Sequence, residues 1–314
     1  MIHFVSICIP AYRQPDLLER CLASIARQTY KQVEVLVSDD TPDDAVKIVI
    51  DRFTDHLSIR YQHNAKPLGA PANWNAALQM AKGDFVLLLH HDDELADQDS
   101  LAVFLRPFFD DPSVDFVFGR NPTINRLSGT RAFSATYFAR YYSDPERLIT
   151  GNTIGAPSNV MLRSSALEWY NPTYKWIVDI EMYIRLFRKK RKFYYVDKEL
   201  VRIGIHEGQI SNECVDNYDV LLYENISFAA DRAFRVRSLR LFDFYWRLLR
   251  NAGIQSVQQL SRLQLADKDI PPFVRRIIRF QHKIPKQILR LGFVSKSFMA
   301  VDYAFQRLTS RVNR

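Results

Sequence analysis

The first 120 residues alternate between short apolar runs and longer amphipathic segments. The apolar runs are typical of strands buried on both faces, and the amphipathic segments repeat their apolar residues at helical spacing. Five strands are predicted, at 4–11, 33–38, 59–62, 85–89 and 114–119. Four helices are predicted between them, at 15–27, 43–53, 72–82 and 100–109. This alternation predicts an α/β fold with a parallel sheet and right-handed crossovers.

After residue 120 the pattern loosens. Residues 120–151 are polar and aromatic without a clear period, and we expect a loop and helix region over a substrate cleft. Further elements are predicted as a strand at 159–163, a helix at 179–190 and strands at 192–196 and 200–205. From residue 216 the chain is predicted to be helical, with breaks at Pro271-Pro272 and Pro285.

Acidic pairs follow two of the predicted strands. Asp39 and Asp40 end the segment EVLVSDD, and Asp92 and Asp93 end DFVLLLHHDD. The carboxyl ends of parallel strands meet at one edge of an open sheet, where such folds bind ligands. Carboxylates gathered there repel one another unless a cation joins them, and a divalent metal carrying a phosphorylated ligand meets that need. The pattern therefore predicts an enzyme that handles a nucleoside diphosphate compound.

One long segment combines a strand, a helix, a Gln-Thr-Tyr turn, a second strand and an acidic pair: VSICIPAYRQPDLLERCLASIARQTYKQVEVLVSDDTPDD. It is followed, in order, by Asn64, Gly69 and Asn73, by LLLHHDD and by VDIEMYIR. This series resembles the family 2 glycosyltransferases with the GT-A fold, over roughly residues 5–211. The last third of the chain carries no part of the resemblance.

The resemblance implies a GT-A (Rossmann-like) domain at residues 1–212, with a mostly parallel sheet flanked by helices. Its nucleotide-sugar-binding part would be 1–120 and its acceptor-binding part 121–212. Residues 213–314 would then form a helical, basic C-terminal region. The implied enzyme is an inverting glycosyltransferase that depends on a nucleotide sugar.

The resemblance also implies where the donor binds. In the family the acidic pair after the second strand holds the base and ribose, which places Asp40 at the base. Either Asp39 or Asp40 could instead cap the following turn, which is a common role of Asp. The donor-binding residues predicted in this way are Pro10, Ala11, Tyr12, Asp39, Asp40, Asn73, His90 and His91.

The segment HHDD occupies the place of the family's Asp-x-Asp metal motif, and His90 stands where the family has its first Asp. A neutral imidazole accepts a bond from ribose or binds a metal such as Mn²⁺, but it supplies no charge. Asp92 is the predicted primary metal ligand and Asp93 the second, with capping of the next segment as the alternative for Asp93. His206 matches a family position that approaches the metal or the diphosphate, although a lone His is often structural. The predicted cofactor is Mn²⁺ or Mg²⁺.

The predicted general base is Asp179. This residue aligns with the Asp of the family's Glu-Asp motif at a helix start, and Val178 replaces the Glu. The apolar residues before Asp179 favour a raised pKa that suits base catalysis. An N-cap of the helix is the alternative explanation, and Glu181 is the fallback base.

The net charge of +8 is concentrated at one end of the chain. Residues 261–314 contain 12 Lys/Arg and 3 Asp/Glu, whereas the remainder is close to neutral. The basic residues alternate with Ile, Phe and Leu, a pattern that suits an anionic membrane surface. A packed C-terminal helix and an oligomer contact are the alternatives. The neutral body with clustered acidic residues disfavours binding to nucleic acid.

Localisation is expected to be cytoplasmic, peripheral on the inner face of the cell membrane. Cys8, Cys21 and Cys214 are few and widely spaced, so they favour neither a disulfide framework nor a zinc site. The first ten residues read as a strand and not as a signal peptide. No apolar run approaches the length of a membrane-spanning helix.

The sequence thus predicts an inverting glycosyltransferase that moves a sugar from a nucleotide diphosphate donor, a UDP-sugar, to an acceptor hydroxyl. The predicted acceptor is a saccharide or lipid-linked saccharide in bacterial surface polysaccharide assembly. One alternative is a metal-dependent nucleotidyltransferase, although AYRQPD offers little of the Gly-rich or basic phosphate loop expected there. The other is a non-catalytic membrane or nucleic-acid binding module that uses the basic tail.

Overall fold

The structure is a computed structural model that describes residues 3–121, 133–206 and 208–312. The chain divides into two compact units. The first unit contains Met1–Ser143 and Asn152–Glu207, and the second contains Asp144–Gly151 and Gly208–Arg314. The central part of the predicted loop and helix region, residues 122–132, lies outside the described residues.

A mostly parallel sheet forms the centre of the first unit. The described strands are β1 (Val5–Ala11), β2 (Val33–Asp39), β3 (Ile59–His63), β4 (Phe85–Leu88), β5 (Glu94–Leu95), β6 (Phe116–Phe118), β7 (Val160–Arg163), β8 (Phe193–Tyr195) and β9 (Val201–Arg202). Seven of them form one sheet in the order β3-β2-β1-β4-β7-β6-β8, and β5 pairs with β9 separately. β7 runs antiparallel to β4 and β6, while the other pairs in the large sheet are parallel. The α/β prediction is confirmed, with β7 as the strand that departs from a purely parallel sheet.

The helices of the first unit flank this sheet, as amphipathic segments must when they cover a buried strand layer. They are α1 (Pro15–Ala26), α2 (Ala45–Asp51), α3 (Ala70–Gln79), α4 (Ser100–Asp110), α5 (Ala135–Ala139) and α6 (Val178–Arg188). Helix α1 is an example: it begins at Pro15, and Leu18, Leu22 and Ile25 are buried on one of its faces. These residues pack into a core with the buried residues of β1, β2 and β4.

Two of the predicted ends differ from the structure by three residues. Helix α3 ends at Gln79 and not at residue 82, so Gly83 does not directly follow its last turn. Gly83 instead lies so close to β1 that a Cβ there would sit 2.6 Å from the carbonyl oxygen of Phe4. The strand predicted at 200–205 ends at Arg202, because the following residues turn away toward the end of β4.

The second unit is helical. Its helices are α7 (Ile210–Cys214), α8 (Tyr218–Ala229), α9 (Leu239–Asn251), α10 (Pro272–His282), α11 (Lys286–Leu289) and α12 (Gly292–Val312). The buried Trp246 donates from Nε1 to Ser295 Oγ at 3.0 Å, and its carbonyl oxygen accepts from Gln281 Nε2 at 2.9 Å. The basic C-terminal region therefore buries part of its apolar side chains in a core around Trp246. None of the helices in the described ranges is long and apolar enough to cross a membrane.

Candidate active site

Asp39, the last residue of β2, is fully buried and its carboxylate is bonded on both oxygens. Oδ1 accepts from the backbone N–H of Thr41 at 2.8 Å, and Oδ2 accepts from the hydroxyl of Tyr61 at 2.8 Å. The first contact is the turn-capping role that Asp residues commonly take. The second ties the end of β2 to β3, so Asp39 shapes the strand ends at this edge.

Asp40 holds the loop that leads from β3 to α3. Its Oδ1 accepts from Asn64 Nδ2 at 2.9 Å and from the backbone N–H of Leu68 at 3.0 Å. Its Oδ2 accepts from the backbone N–H of Gly69 at 3.0 Å. Asn64 also donates to Asn73 Oδ1 at 3.2 Å, which links the predicted donor-site residues into one buried polar network. Asp40 thereby organises this loop, and its contact with a base stays a prediction.

The end of β1 offers two backbone carbonyls and one exposed aromatic ring. The carbonyl of Pro10 lies 3.2 Å from Nδ1 of His91, and the carbonyl of Ala11 accepts from Asn73 Nδ2 at 3.1 Å. Tyr12 follows them and is 46% exposed, in contrast to the buried strand before it. Pro10 and Ala11 therefore anchor their neighbours through the backbone, and Tyr12 is the one of the three whose side chain is open to a ligand.

His90 is held in a partly buried aromatic setting. Its ring packs on Trp74 with 4.6 Å between ring centroids, and its backbone N–H donates to Ser158 Oγ at 2.9 Å. Burial lowers the pKa of His90 to about 4, so the ring is neutral at physiological pH. Its Nε2 is buried and has no hydrogen-bond partner among the described residues. A neutral ring with an unbonded nitrogen is suited to accept a bond from a ligand or a metal.

Asp92 and His206 meet although 113 residues separate them in the sequence. Asp92 Oδ2 lies 2.9 Å from His206 Nε2, and Gln14 Nε2 lies 3.1 Å from the other nitrogen of the same ring. Gln14 Oε1 lies 3.2 Å from His91 Nε2. Burial alone would raise the pKa of Asp92, but His90, His91 and the bond to His206 together lower it. Asp92 is therefore a carboxylate at neutral pH, facing a ring whose orientation Gln14 fixes.

Asp93 is buried next to this pair. Its Oδ1 accepts from the backbone N–H of Gly204 at 2.9 Å, and its Oδ2 lies 3.9 Å from His90 Nδ1. Burial, with the nearby Asp92 charge adding to it, raises the pKa of Asp93 to about 8. One atom from each of His90, Asp92 and Asp93 lies within 4.8 Å of the others, a spacing that a metal ion can bridge. Asp93 thus has both the structural role expected of a cap and a position beside the predicted metal ligands.

The pairing of β5 with β9 explains why these segments meet. Glu94–Leu95 directly follows the HHDD segment, and Val201–Arg202 leads into the segment that carries His206. A Cβ at Gly204 would lie 2.1 Å from the carbonyl oxygen of Asp92, so only glycine allows this approach. The short strand pair and Gly204 together bring His206 to Asp92.

Asp179 lies in the first turn of α6 but does not cap it. The N-cap residue is Ile177, so the N-cap interpretation of Asp179 was wrong. Asp179 Oδ2 accepts from Asn152 Nδ2 at 2.7 Å, and Oδ1 accepts from the backbone N–H of Ile180 at 2.7 Å. Burial raises the pKa of Asp179 to about 7, against the lowering effect of these bonds. A carboxyl group with such a pKa can take up a proton near neutral pH. The predicted fallback base, Glu181, is buried and ion-paired with Arg185.

Aromatic contacts lead from the HHDD segment toward Asp179. Trp74, which packs on His90, makes an edge-on contact with Tyr170 at 5.2 Å between centroids. Asn75 bonds both backbone groups of Tyr170, at 2.8 and 2.9 Å. Burial raises the pKa of Tyr170 well above its usual range, and the charge of Asp179 adds to this rise. Packed aromatic side chains thus extend from His90 to Tyr170, whose pKa is influenced by the charge of Asp179.

The model of "Glycosyl transferase family 2" matches residues 6–169, which is just over half of the 314 residues. The chain belongs to glycosyltransferase family 2. The matched range contains the strand ends that carry Asp39, Asp40 and the HHDD segment, and it stops before α6.

This family 2 chain spans about a third of the length of the first curated relatives that it matches. One of them is the GalNAc(5)-diNAcBac-PP-undecaprenol beta-1,3-glucosyltransferase of Campylobacter jejuni. It is 37% identical over 93 residues, which cover 29% of this chain and 30% of that protein.

Solved structures share the fold over almost the whole chain. S. aureus TarS 1-349 in complex with UDP-GlcNAc has a TM-score of 0.62 at 17% identity, covering 97% of this chain and 92% of that one. The mannosyltransferase PcManGT from Pyrobaculum calidifontis, in complex with GDP-Man and Mn²⁺, has a TM-score of 0.52 at 14% identity. That likeness covers 98% of this chain and 76% of the mannosyltransferase. At these identities the likeness establishes the GT-A fold of the family 2 chain.

Sequence reasoning missed several residues that build this family 2 site. Gln14 and its neighbour Arg13 have left-handed backbone φ angles of 50° and 58°, an uncommon conformation for non-glycine residues that marks local constraint. Asn152, which bonds Asp179, gave no signal because it lies in a polar region without periodicity. Gly204 had a weak signal, since a lone glycine at the end of a predicted strand indicates a close backbone approach.

Proposed function

We propose that this chain is an inverting glycosyltransferase that moves a sugar from a nucleotide diphosphate donor to an acceptor hydroxyl. The observation that carries the proposal is the meeting of Asp92 and His206 at 2.9 Å, at the edge of the sheet where β1, β2 and β4 end. Membership of glycosyltransferase family 2 favours this activity over a nucleotidyltransferase and over a non-catalytic binding module.

The residues at this edge fit a divalent metal, Mn²⁺ or Mg²⁺. Asp92, Asp93 and His90 would be the principal ligands, with His206 beside them. His90 Nε2 is buried without a hydrogen-bond partner among the described residues, and a cation would give it a favourable contact. Carboxylate oxygens with imidazole nitrogen form a plausible donor set for Mn²⁺. A metal bound there would stabilise the charge that develops on the leaving diphosphate.

The donor nucleotide would lie along the ends of β1 and β2. The exposed ring of Tyr12 is available to stack on the base, and the loop that Asp40 organises borders the same edge. UDP is the proposed nucleotide. His91, whose pKa is lowered by burial, is neutral and holds the end of β1 through the carbonyl of Pro10.

Asp179 would take the proton of the attacking acceptor hydroxyl. Its raised pKa of about 7 matches the task, because a base of that strength is ionised in a useful fraction near neutral pH yet still binds a proton. Asn152 and the N–H of Ile180 orient the carboxylate, so proton transfer needs no rearrangement of this side chain. One direct displacement at the anomeric carbon inverts its configuration.

The acceptor is proposed to be a saccharide carried on a lipid diphosphate, in bacterial surface polysaccharide assembly. Support comes from the C. jejuni relative, whose name specifies an acceptor linked to PP-undecaprenol. Such an acceptor lies at a membrane, which agrees with the predicted peripheral location on its inner face.

Stereochemistry of donor hydrolysis tests the proposal without knowledge of the acceptor. The protein is incubated with UDP-GlcNAc and other α-linked UDP-sugars in Mn²⁺, and the released sugar is followed by proton NMR, with water as acceptor. We expect the β anomer to form first, EDTA to stop the reaction, and Asp179→Asn to abolish it. Asp55→Asn, at an exposed position outside the site, is the matched control. Release of the α anomer, or equal rates in EDTA, would overturn the proposal.

A further inference from the structure

The last helix, α12, presents an apolar side to solvent. Phe293 is 85% exposed, and Val301 and Phe305 are 61% and 58% exposed. The exposed positions recur at helical spacing, whereas Ser295 and Met299 point inward and are buried. Small residues complete the exposed side: Ser297, Ala300 and Ala304. Scattered apolar side chains on a surface are ordinary, but an apolar side along one helix indicates an interaction surface.

Basic side chains lie along the same part of the chain. The exposed Lys and Arg residues between α10 and the middle of α12 are Arg279, Lys283, Lys286, Arg290 and Lys296. None of them forms an ion pair with another described residue. The acidic residue in this part of the chain, Asp302, is buried and bonded to Arg276 at 3.1 Å, so it does not offset their charge at the surface.

Helix α11 and the turn into α12 bring the two kinds of side chain together. Lys286 and Arg290 precede Leu291, which is 56% exposed, and Phe293 follows two residues later. Helix α11 also packs on α12 within the second unit. We call this surface the apolar–basic face and define it by the residues Lys286, Arg290, Leu291, Phe293, Lys296, Val301 and Phe305.

We infer that the apolar–basic face docks on an anionic lipid surface, with Leu291 and Phe293 entering the interface and the cations contacting headgroups. Charge decides between the candidate occupants. A second copy of the chain would bring two cationic faces together without an acidic residue to pair them, which is unfavourable. Anionic headgroups supply the complementary charge, and the acyl boundary accepts the exposed Phe and Leu side chains.

This inference rests on the proposed function in one respect: a lipid-linked acceptor lies at a membrane, which gives the chain a reason to bind there. The face itself belongs to the second unit and includes none of the residues assigned to donor, metal or base. Failure of vesicle binding therefore leaves the glycosyltransferase proposal standing. Failure of donor turnover likewise leaves the docking inference standing.

Vesicle sedimentation with the full chain tests the inference. Vesicles of phosphatidylcholine alone are compared with vesicles that also contain phosphatidylglycerol, at low and high salt. We expect binding only to the anionic vesicles, and release by salt. Lys286→Gln with Arg290→Gln should weaken binding about 30-fold, since each basic residue near an anionic surface contributes a factor of about five. Phe293→Ser should weaken it about 10-fold or more through loss of apolar burial.

Control variants distinguish docking through this face from a general effect of losing charge or apolar surface. Arg27→Gln with Arg106→Gln removes the same charge from exposed sites in the first unit, and Ile48→Ser removes an apolar side chain there that is 55% exposed. Both are expected to bind vesicles as the natural chain does. Equal binding to neutral vesicles, or equal losses in the control variants, would overturn the inference. A dimer in solution that Phe293→Ser dissociates would overturn it in favour of a second copy.

Discussion

Replacement of Asp179 by Asn is expected to raise the free energy of unfolding above pH 7 and to lower turnover. Asp179→Asn keeps the shape of the side chain but removes its ionisation. The substitution also replaces the oxygen that accepts from Asn152 Nδ2 with an NH₂ group, which cannot accept. The side-chain oxygen of Asn152 already accepts from the backbone N–H groups of Ile154 and Gly155. The amide of Asn152 therefore cannot turn over to restore the lost bond. Two effects of opposite sign on the free energy of unfolding follow.

The pKa of Asp179 sets the larger effect. Burial raises it from an ordinary 3.8 to about 7, so between these values the folded state binds more protons than the unfolded state. The free energy of unfolding of the natural chain therefore falls as the pH rises from about 4 to about 7. A rise of three pKa units corresponds to about 4 kcal/mol, an upper bound because Asp179 is partly exposed.

The lost hydrogen bond sets the smaller effect, about 1–3 kcal/mol for an unsatisfied buried group. Above pH 7 the removal of the buried charge outweighs it, and we expect Asp179→Asn to be more stable than the natural chain by about 1–3 kcal/mol. Below pH 4 both chains are neutral at this position, and the variant should be the less stable of the two.

Turnover by Asp179→Asn should fall, although the stability of the variant above pH 7 should rise. Loss of a general base lowers turnover by a factor on the order of 10² or more. In the natural chain kcat should rise with pH and level off above about 7, because the base must be ionised. The kcat of Asp179→Asn should not show this rise with pH. Its affinity for the donor should be unchanged, since the base acts on the acceptor.

Urea unfolding between pH 4 and 8, together with pH profiles of kcat and of UDP affinity, measures both effects. Asp55→Asn serves as the control and should change neither. Turnover within a factor of about ten of the natural chain would refute the assignment of the base. A collapse of UDP affinity would show instead that Asp179 supports the donor site.

Three further predictions concern the supporting structure. Gln14→Leu should weaken Mn²⁺ binding about 10- to 100-fold by freeing the ring of His206, measured by calorimetry, with little change in melting temperature. Gly204→Ala should cost about 1–3 kcal/mol of stability and weaken UDP binding, because its Cβ would meet Asp92; Gly292→Ala, with open space around it, is the control. Deletion of residues 270–314 should give insoluble protein, since it exposes Trp246 and its neighbours; a soluble, UDP-binding product would contradict the packing described here.

Much of the first unit could be predicted because local signals agree with the final fold. The runs that became β1, β2 and β4 are mostly apolar and are buried on both faces, as strands covered by helices must be. The acidic residues at their ends then follow from topology alone. β7 was predicted as a strand at 159–163, but its antiparallel direction could not be predicted, since its four residues carry no mark of strand direction.

The sequence proposed individual residues for the candidate site, but not the contacts between them. Asp92 and His206 were each expected near a metal, yet their meeting depends on the two-residue strands β5 and β9. A two-residue strand is too short to show an alternation of apolar and polar residues in the sequence. Gln14 could not be found either, because its role depends on a left-handed backbone and on two rings that approach from distant segments.

The basic C-terminal region shows how composition leaves two interpretations open. Its charge and apolar residues fitted both a packed helix and a membrane surface. In the structure Val274, Ile277 and Ile278 are buried, while Leu291 and Phe293 are exposed. Helix packing therefore accounts for one part of this pattern, and the docking surface proposed above for the other.

Calorimetric titration of UDP tests the central claim most directly, because it asks whether the edge of the sheet is a metal-dependent nucleotide site. The titration is made in Mn²⁺ and in EDTA, with the natural chain, Asp92→Asn and the control Asp55→Asn. We predict binding by the natural chain and the control in Mn²⁺ only, and a large loss of affinity in Asp92→Asn. Binding of UDP that is equally tight in EDTA and in Asp92→Asn would contradict the account.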